Sequence, residues 1–73
     1  MSLNKKLDNE GLVLTTLREF IQNEGYSPTF RELEEATGIS LGMVHETLHN
    51  LRDSGKITFQ DRKARTLKIA KGK

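Results

Sequence analysis

The chain has 73 residues, a length typical of a single domain with a small hydrophobic core. It contains no cysteine, which excludes disulfides and thiolate metal sites within this sequence. No apolar run approaches the roughly 20 residues that a membrane-spanning helix needs, and the N-terminus lacks the apolar core of a signal peptide. We therefore expect a cytoplasmic protein without a membrane partner.

The net charge of +2 is distributed unevenly along the chain. Residues 1–53 carry five Lys or Arg and nine Asp or Glu, whereas residues 54–73 carry seven Lys or Arg and one Asp. An acidic body with a basic C-terminal part is typical of a protein that meets a polyanion with one part of its fold. A solvated basic tail would show the same pattern, so charge alone leaves both interpretations open.

The first predicted helix runs from Asp8 or Asn9 to Asn23. Gly25 follows it at a position where a left-handed residue commonly ends a helix. The polar residues of the segment fall on the opposite side from one apolar stripe at helical spacing. The residues of this stripe are Val13, Leu14, Leu17, Phe20 and Ile21.

Two shorter helices are predicted next. Thr29 and Glu32 have the spacing of a capping box, which starts the second helix, and Gly38 ends it. Ser40 is a suitable N-cap for a third helix over Leu41–Asp53. The residues expected to pack inward from these two helices are Phe30, Leu33, Ala36, Thr37, Ile39, Leu41, Val44, Leu48 and Leu51.

After Gly55 the apolar period changes from that of a helix to that of a strand. Residues 56–60 and 66–70 each alternate apolar and polar side chains, and a polar, basic segment separates them. We predict an antiparallel hairpin with its tip at residues 60–65. The predicted fold is mainly α with a small β-hairpin: a winged helix-turn-helix of three helices and a two-stranded wing. It would occupy residues 9–70, between a flexible N-terminus (1–8) and a basic C-terminal end (71–73).

This arrangement predicts double-stranded DNA as the partner. In a helix-turn-helix, one helix braces against the phosphate backbone while the next enters the major groove. A basic wing can contact phosphates or the minor groove. The predicted DNA-binding residues are Thr29 and Arg31 at the start of helix 2, Ser40, Leu41, Gly42, His45, Glu46 and His49 on helix 3, and Arg62, Lys63 and Arg65 on the wing.

Three segments resemble the N-terminal DNA-binding domain of the LexA repressor family. They are "EGYSPTFRELEEATGIS", "VHETLHNLRDSGKI" and "KARTLKI", and the resemblance covers roughly residues 11–70. It implies sequence-specific duplex DNA binding, transcriptional repression and a role in the SOS response.

The chain departs from that family in two respects. It contains no counterpart of the family's self-cleaving Ser-Lys peptidase domain, which also dimerises the protein. The resemblance therefore implies no self-cleavage here, and we expect at most a weak homodimer on palindromic DNA. The start of the recognition helix, "GISLGMVH", is shorter than the family's usual segment. For that reason the family's operator preference is not expected to apply.

His45, Glu46 and His49 also match H-E-x-x-H, the zinc-binding pattern of metallopeptidases. A catalytic zinc site needs a third protein ligand and an open position for water. No histidine follows His49, and Asp53 and Asp61 are the remaining downstream carboxylates. The two histidines would lie on the polar side of the third helix. We expect no catalysis, cofactor or small-molecule substrate, and keep the metallopeptidase as a less favoured alternative.

A winged-helix module that binds another protein is the second alternative. Glu32, Glu34 and Glu35 make the second helix acidic, although that helix normally lies near phosphate in a DNA-bound helix-turn-helix. The two interpretations differ in their salt dependence, because phosphate contacts weaken steeply as salt rises.

Overall fold

Three helices precede a short hairpin in the computed structural model, which describes residues 5–70. The helices are α1 (Lys5–Glu24), α2 (Phe30–Thr37) and α3 (Leu41–Asp53). The hairpin pairs β1 (Ile57–Thr58) antiparallel with β2 (Lys68–Ile69). This order confirms the predicted fold class: the chain is a winged helix-turn-helix with a two-stranded wing.

Helix α1 begins at Lys5, earlier than the predicted start at Asp8 or Asn9. Lysine and leucine are good helix formers, so the helix extends beyond the amphipathic stripe on which the prediction relied. Part of the segment predicted to be flexible is therefore helical, while residues 1–4 and 71–73 lie outside the described residues. None of the helices within residues 5–70 is long and apolar enough to cross a bilayer.

The predicted caps of α2 and α3 are confirmed. The Thr29 hydroxyl accepts a hydrogen bond from the Glu32 N–H at 3.0 Å, and the Glu32 carboxylate accepts one from the Thr29 N–H at 2.9 Å. Gly38 ends α2 with a φ of 79°, and its N–H donates to the Glu34 carbonyl. The Ser40 hydroxyl accepts from the Met43 N–H at the start of α3. These caps fix the sharp turn between the two helices.

One hydrophobic core joins the three helices to the wing. Thr47 is also buried, which the apolar pattern did not predict. Ala36, predicted to pack inward, is exposed because the inward side of α2 runs through Phe30, Leu33 and Thr37. Among residues 9–70, whose side chains are described, the wing contributes a third of the buried hydrophobic side chains, which are Val13, Leu17, Leu33, Val44, Leu48, Leu51, Ile57, Phe59 and Leu67.

The turn between α2 and α3 depends on the left-handed backbone of Gly38. A Cβ added at Gly38, or at Gly11 within α1, would meet no heavy atom within 4 Å. The effect of an alanine substitution on stability therefore depends on the backbone conformation at each position. We predict that Gly38→Ala lowers the free energy of unfolding by about 1–2 kcal/mol, whereas Gly11→Ala raises it by about 0.5–1 kcal/mol. Urea denaturation measures both, and equal stability of the two variants would contradict the turn geometry.

Candidate nucleic-acid interface

The side of α3 opposite the core is open to solvent. Val44, Thr47, Leu48 and Leu51 anchor the helix on its inner side. Of the residues predicted to contact bases, Ser40, Gly42, His45 and Glu46 are exposed, and Leu41 and His49 are half-buried. Met43 and Asn50 are exposed on the same helix and were not predicted as site residues. The exposed surface of α3 is therefore wider than the predicted set.

A cleft of about 310 Å³ lies between α3 and the wing. Phe30 and Phe59 line it together with wing residues 60–65. It brings together predicted site residues that are far apart in the sequence, namely Thr29, His45, His49, Arg62, Lys63 and Arg65. Arg31, Ser40, Leu41, Gly42 and Glu46 lie outside the lining of this cleft.

Both histidines of the H-E-x-x-H match pack against aromatic rings. The His45 ring meets Phe30 edge-on at 4.7 Å, and the His49 ring meets Phe59 edge-on at 5.4 Å between centroids. The Arg52 Nη2 atom lies 3.3 Å from His49 Nδ1. Within residues 9–70, no three His, Asp or Glu side chains are grouped so that they could hold a metal ion. Both histidine rings therefore take part in the packing of α3, His45 against α2 and His49 against the wing.

Arg52 links α3 to the first half of the wing. Its Nη1 atom donates to the Phe59 carbonyl at 3.2 Å and forms a 3.1 Å ion pair with the Asp61 carboxylate. Its guanidinium also lies 4.1 Å from the centroid of the Phe59 ring, a cation–π distance. Sequence reasoning did not identify this role, because the pattern placed Arg52 on the polar side of α3 and gave no partner for it.

Arg65 links the second half of the wing to α2. Its guanidinium forms two parallel hydrogen bonds with the Glu32 carboxylate, each 3.0 Å long, and Nη1 also donates to the Ser27 carbonyl at 3.0 Å. The guanidinium lies 4.9 Å from the centroid of the Tyr26 ring. Arg65, which was expected to be free to meet phosphate, is paired with Glu32 in this structure, and its contact with DNA stays a prediction.

The tip of the wing leaves two cations unpaired. Arg62 and Lys63 are exposed, and neither side chain forms an ion pair with any residue between 9 and 70. The turn is held by the Thr66 hydroxyl, which accepts from the Gln60 N–H at 2.9 Å and donates to the Lys63 carbonyl at 3.1 Å. Arg62 has a φ of 66°, uncommon for a residue other than glycine. The tip therefore presents two long cationic side chains on a turn that is held by hydrogen bonds.

The fold and this surface define the class of the protein as a winged helix-turn-helix with an open recognition helix and a basic wing tip. The LexA DNA binding domain family matches residues 7–66, which is most of the chain. This chain therefore belongs to the LexA DNA-binding domain family, as the quoted segments indicated.

The chain is also similar to part of two longer proteins that are named LexA repressor. The chain is 34% identical to the LexA repressor of Oleidesulfovibrio alaskensis over 97% of its own length and 36% of that protein. It is 37% identical to the LexA repressor of Acetivibrio thermocellus over 96% of its length and 33% of that protein. It thus spans about a third of these relatives. Neither the metallopeptidase nor the protein-interaction alternative is supported by these similarities.

The ion pair between Arg65 and Glu32 predicts a stability change in acid. The hydrogen bonds from Arg65, aided by the Thr29 N–H, hold the pKa of Glu32 below its ordinary value of 4.5. The unfolded chain then binds more protons than the folded chain as the pH falls. The stabilisation is therefore complete above about pH 4.5 and is lost as the pH falls through the lowered pKa of Glu32.

Urea denaturation of the parent, Glu32→Gln and Arg65→Ala at a series of acidic pH values tests this expectation. Glu32→Gln should lose all of this pH-dependent part of the unfolding free energy, whereas Arg65→Ala should lose the part due to Arg65 and keep the part due to the Thr29 N–H. A Glu32→Gln curve that runs parallel to that of the parent would contradict the proposed cause.

Proposed function

We propose that this chain binds duplex DNA through α3 and the wing tip, as the DNA-binding part of a LexA-type transcriptional repressor. The observation that carries the proposal is the exposed side of α3 beside two unpaired wing cations, Arg62 and Lys63. An open helix can enter the major groove, and flanking cations can hold the backbone. Membership of the LexA DNA-binding domain family supports the same partner.

The two parts of the surface would have different tasks. Arg62 and Lys63 would supply affinity that does not depend on sequence, because cations release counterions from phosphate. Arg31, exposed on the first turn of α2, and the Thr29 hydroxyl beside the cleft could add backbone contacts. The wing cations matter here because α3 carries no Lys or Arg before Arg52, whose guanidinium contacts the wing.

Base discrimination would therefore come from uncharged and acidic groups. Glu46 can accept a hydrogen bond from the amino group of cytosine, and Leu41 can contact a thymine methyl group. Gly42 allows the backbone to approach the bases closely, since a Cβ there would occupy open space. His45 and His49 can donate to base acceptors, with Ser40 at the front of the helix. These residues of α3 predict a base preference that does not rely on the common arginine–guanine contact.

Repression and dimerisation concern a larger protein. The relatives named LexA repressor are about three times as long as the stretch this chain matches. We infer that the chain acts as a repressor through its DNA-binding domain, and that any homodimer it forms alone is weak and requires a palindromic site. Two copies on half-sites separated by a whole turn of DNA would place both α3 helices on the same side of the duplex.

Fluorescence anisotropy with a labelled mixed-sequence duplex tests the DNA-binding proposal. We predict that the logarithm of the association constant falls linearly with the logarithm of salt concentration between about 50 and 200 mM. Arg62→Ala and Lys63→Ala should each reduce the steepness of that line by about one, the value for one lost phosphate contact. Both variants should weaken binding to all sequences alike.

Arg18→Ala is the matched control, because Arg18 is exposed on α1 and carries the same charge. It should leave the salt dependence unchanged. No binding to duplex at the lowest salt would overturn the proposed function. An equal effect of Arg18→Ala would show instead that net charge, rather than the wing tip, determines affinity.

A further inference from the structure

We propose that Arg65 is a positioning residue: it fixes the wing on the N-terminal end of α2 through Glu32 and makes no phosphate contact itself. The expected effect of Arg65 on duplex binding rests on the proposed DNA-binding function. The attachment of the wing to α2 by Arg65 concerns the free protein. It separates the three wing-tip cations into one that holds the wing and two, Arg62 and Lys63, that remain exposed for a polyanion.

The contacts of Arg65 occupy its guanidinium. Three of the five N–H donors of an arginine side chain are engaged here, two with Glu32 and one with the Ser27 carbonyl. The Tyr26 ring covers one face of the guanidinium at 4.9 Å. Two parallel bonds to a carboxylate give a fixed orientation that a single contact cannot give. A phosphate could take the place of Glu32 only by displacing both parallel bonds at once.

The partner carboxylate is itself held in place. Glu32 accepts the Thr29 N–H in the capping box of α2, so its position is tied to the helix and not to a flexible side chain alone. The Leu67 N–H donates to the Ser27 hydroxyl at 3.0 Å, which adds a second link between the wing and the loop before α2. Residues 65–67 are therefore attached to residues 27–32 at two separate points.

The backbone of Arg65 also indicates a structural constraint. Its φ of 59° lies in the left-handed region, which residues other than glycine rarely occupy. Such a conformation persists only when surrounding contacts hold it. The Glu32 and Ser27 bonds act on the side chain of this residue and supply contacts of that kind. Loss of the ion pair should therefore allow the wing tip to leave its present position.

The proposal predicts an unusual effect on duplex binding when the negative charge of Glu32 is removed. Removing a carboxylate near DNA ordinarily strengthens binding, because it removes repulsion from phosphate. Glu32→Gln should instead weaken binding, since it releases Arg65 and with it the wing that carries Arg62 and Lys63. Glu35→Gln removes the same charge from an exposed position on the same helix and leaves both described ion pairs intact. It should leave duplex affinity unchanged or raise it.

A distance measurement on the free protein tests the structural part directly. The chain has no cysteine, so Gln22→Cys on α1 and Ala64→Cys on the wing, both at exposed positions, can be spin-labelled without further changes. Pulsed electron resonance should give a narrow distribution of label distances in this background. Arg65→Ala and Glu32→Gln should each broaden it, whereas Arg62→Ala should not. An Arg65→Ala distribution as narrow as that of the background overturns the proposal.

Duplex binding tests the functional part. We expect Arg65→Ala and Glu32→Gln to weaken association with a mixed-sequence duplex about two- to fivefold, the range of one exposed ion pair. The salt dependence should keep its slope, in contrast to Arg62→Ala. Arg65→Lys should be as weak as Arg65→Ala, because lysine keeps the charge but cannot form the paired bonds. A slope lowered by about one in Arg65→Ala would show a direct phosphate contact and overturn the proposal.

The two experiments separate the two ideas. If the wing loosens in Arg65→Ala but no variant or parent binds duplex, the positioning role stands and the DNA-binding proposal fails. If duplex binds with the expected salt dependence while label distances stay narrow in every variant, DNA binding stands and the positioning role fails.

Discussion

A hairpin with two paired residues on each strand cannot fix its own position, so the wing depends on what it contacts in the helices. Ile57, Phe59 and Leu67 insert it into the core between the helices. Arg52 then binds its first half to α3 and Arg65 binds its second half to α2. The way in which this domain can meet a partner depends on these attachments, because they set where the wing tip lies beside α3.

The attachments also explain how an acidic body can present a basic surface. Glu32 pairs with Arg65 of the wing, and Asp61 pairs with Arg52 of α3. These four charges therefore stabilise the fold. Arg62 and Lys63 stay exposed on the turn beyond them. The recognition helix itself offers histidines and a carboxylate at its front. In the proposed function, affinity would come from the wing tip and base discrimination from α3.

Much of the fold followed from local patterns in the sequence. The capping box at Thr29 and Glu32, the glycine turn at Gly38 and the change of period after Gly55 each depend on residues close together in the chain, and each was confirmed. Helix α1 starts earlier than predicted because the prediction relied on the apolar stripe from Val13 to Ile21, and the first turn of the helix precedes that stripe.

The long-range pairings could not be predicted in the same way. Arg65 and Glu32 are 33 positions apart, and nothing in the local pattern distinguishes this arginine from Arg62. The aromatic contacts of His45 and His49 likewise depend on how α3 packs against Phe30 and Phe59. The sequence therefore assigned the same role to Arg62, Lys63 and Arg65, which have different surroundings in the structure.

The central claim is that the exposed side of α3 and the wing tip form one DNA-binding surface. Titration of ¹⁵N-labelled protein with a duplex, followed by amide chemical shifts, tests it most directly. The account predicts that the largest changes fall on residues 40–50 and 60–64, with little change at Leu12 and Arg18 on the exposed side of α1. Changes concentrated on α1, with α3 and the wing tip unaffected, would contradict it.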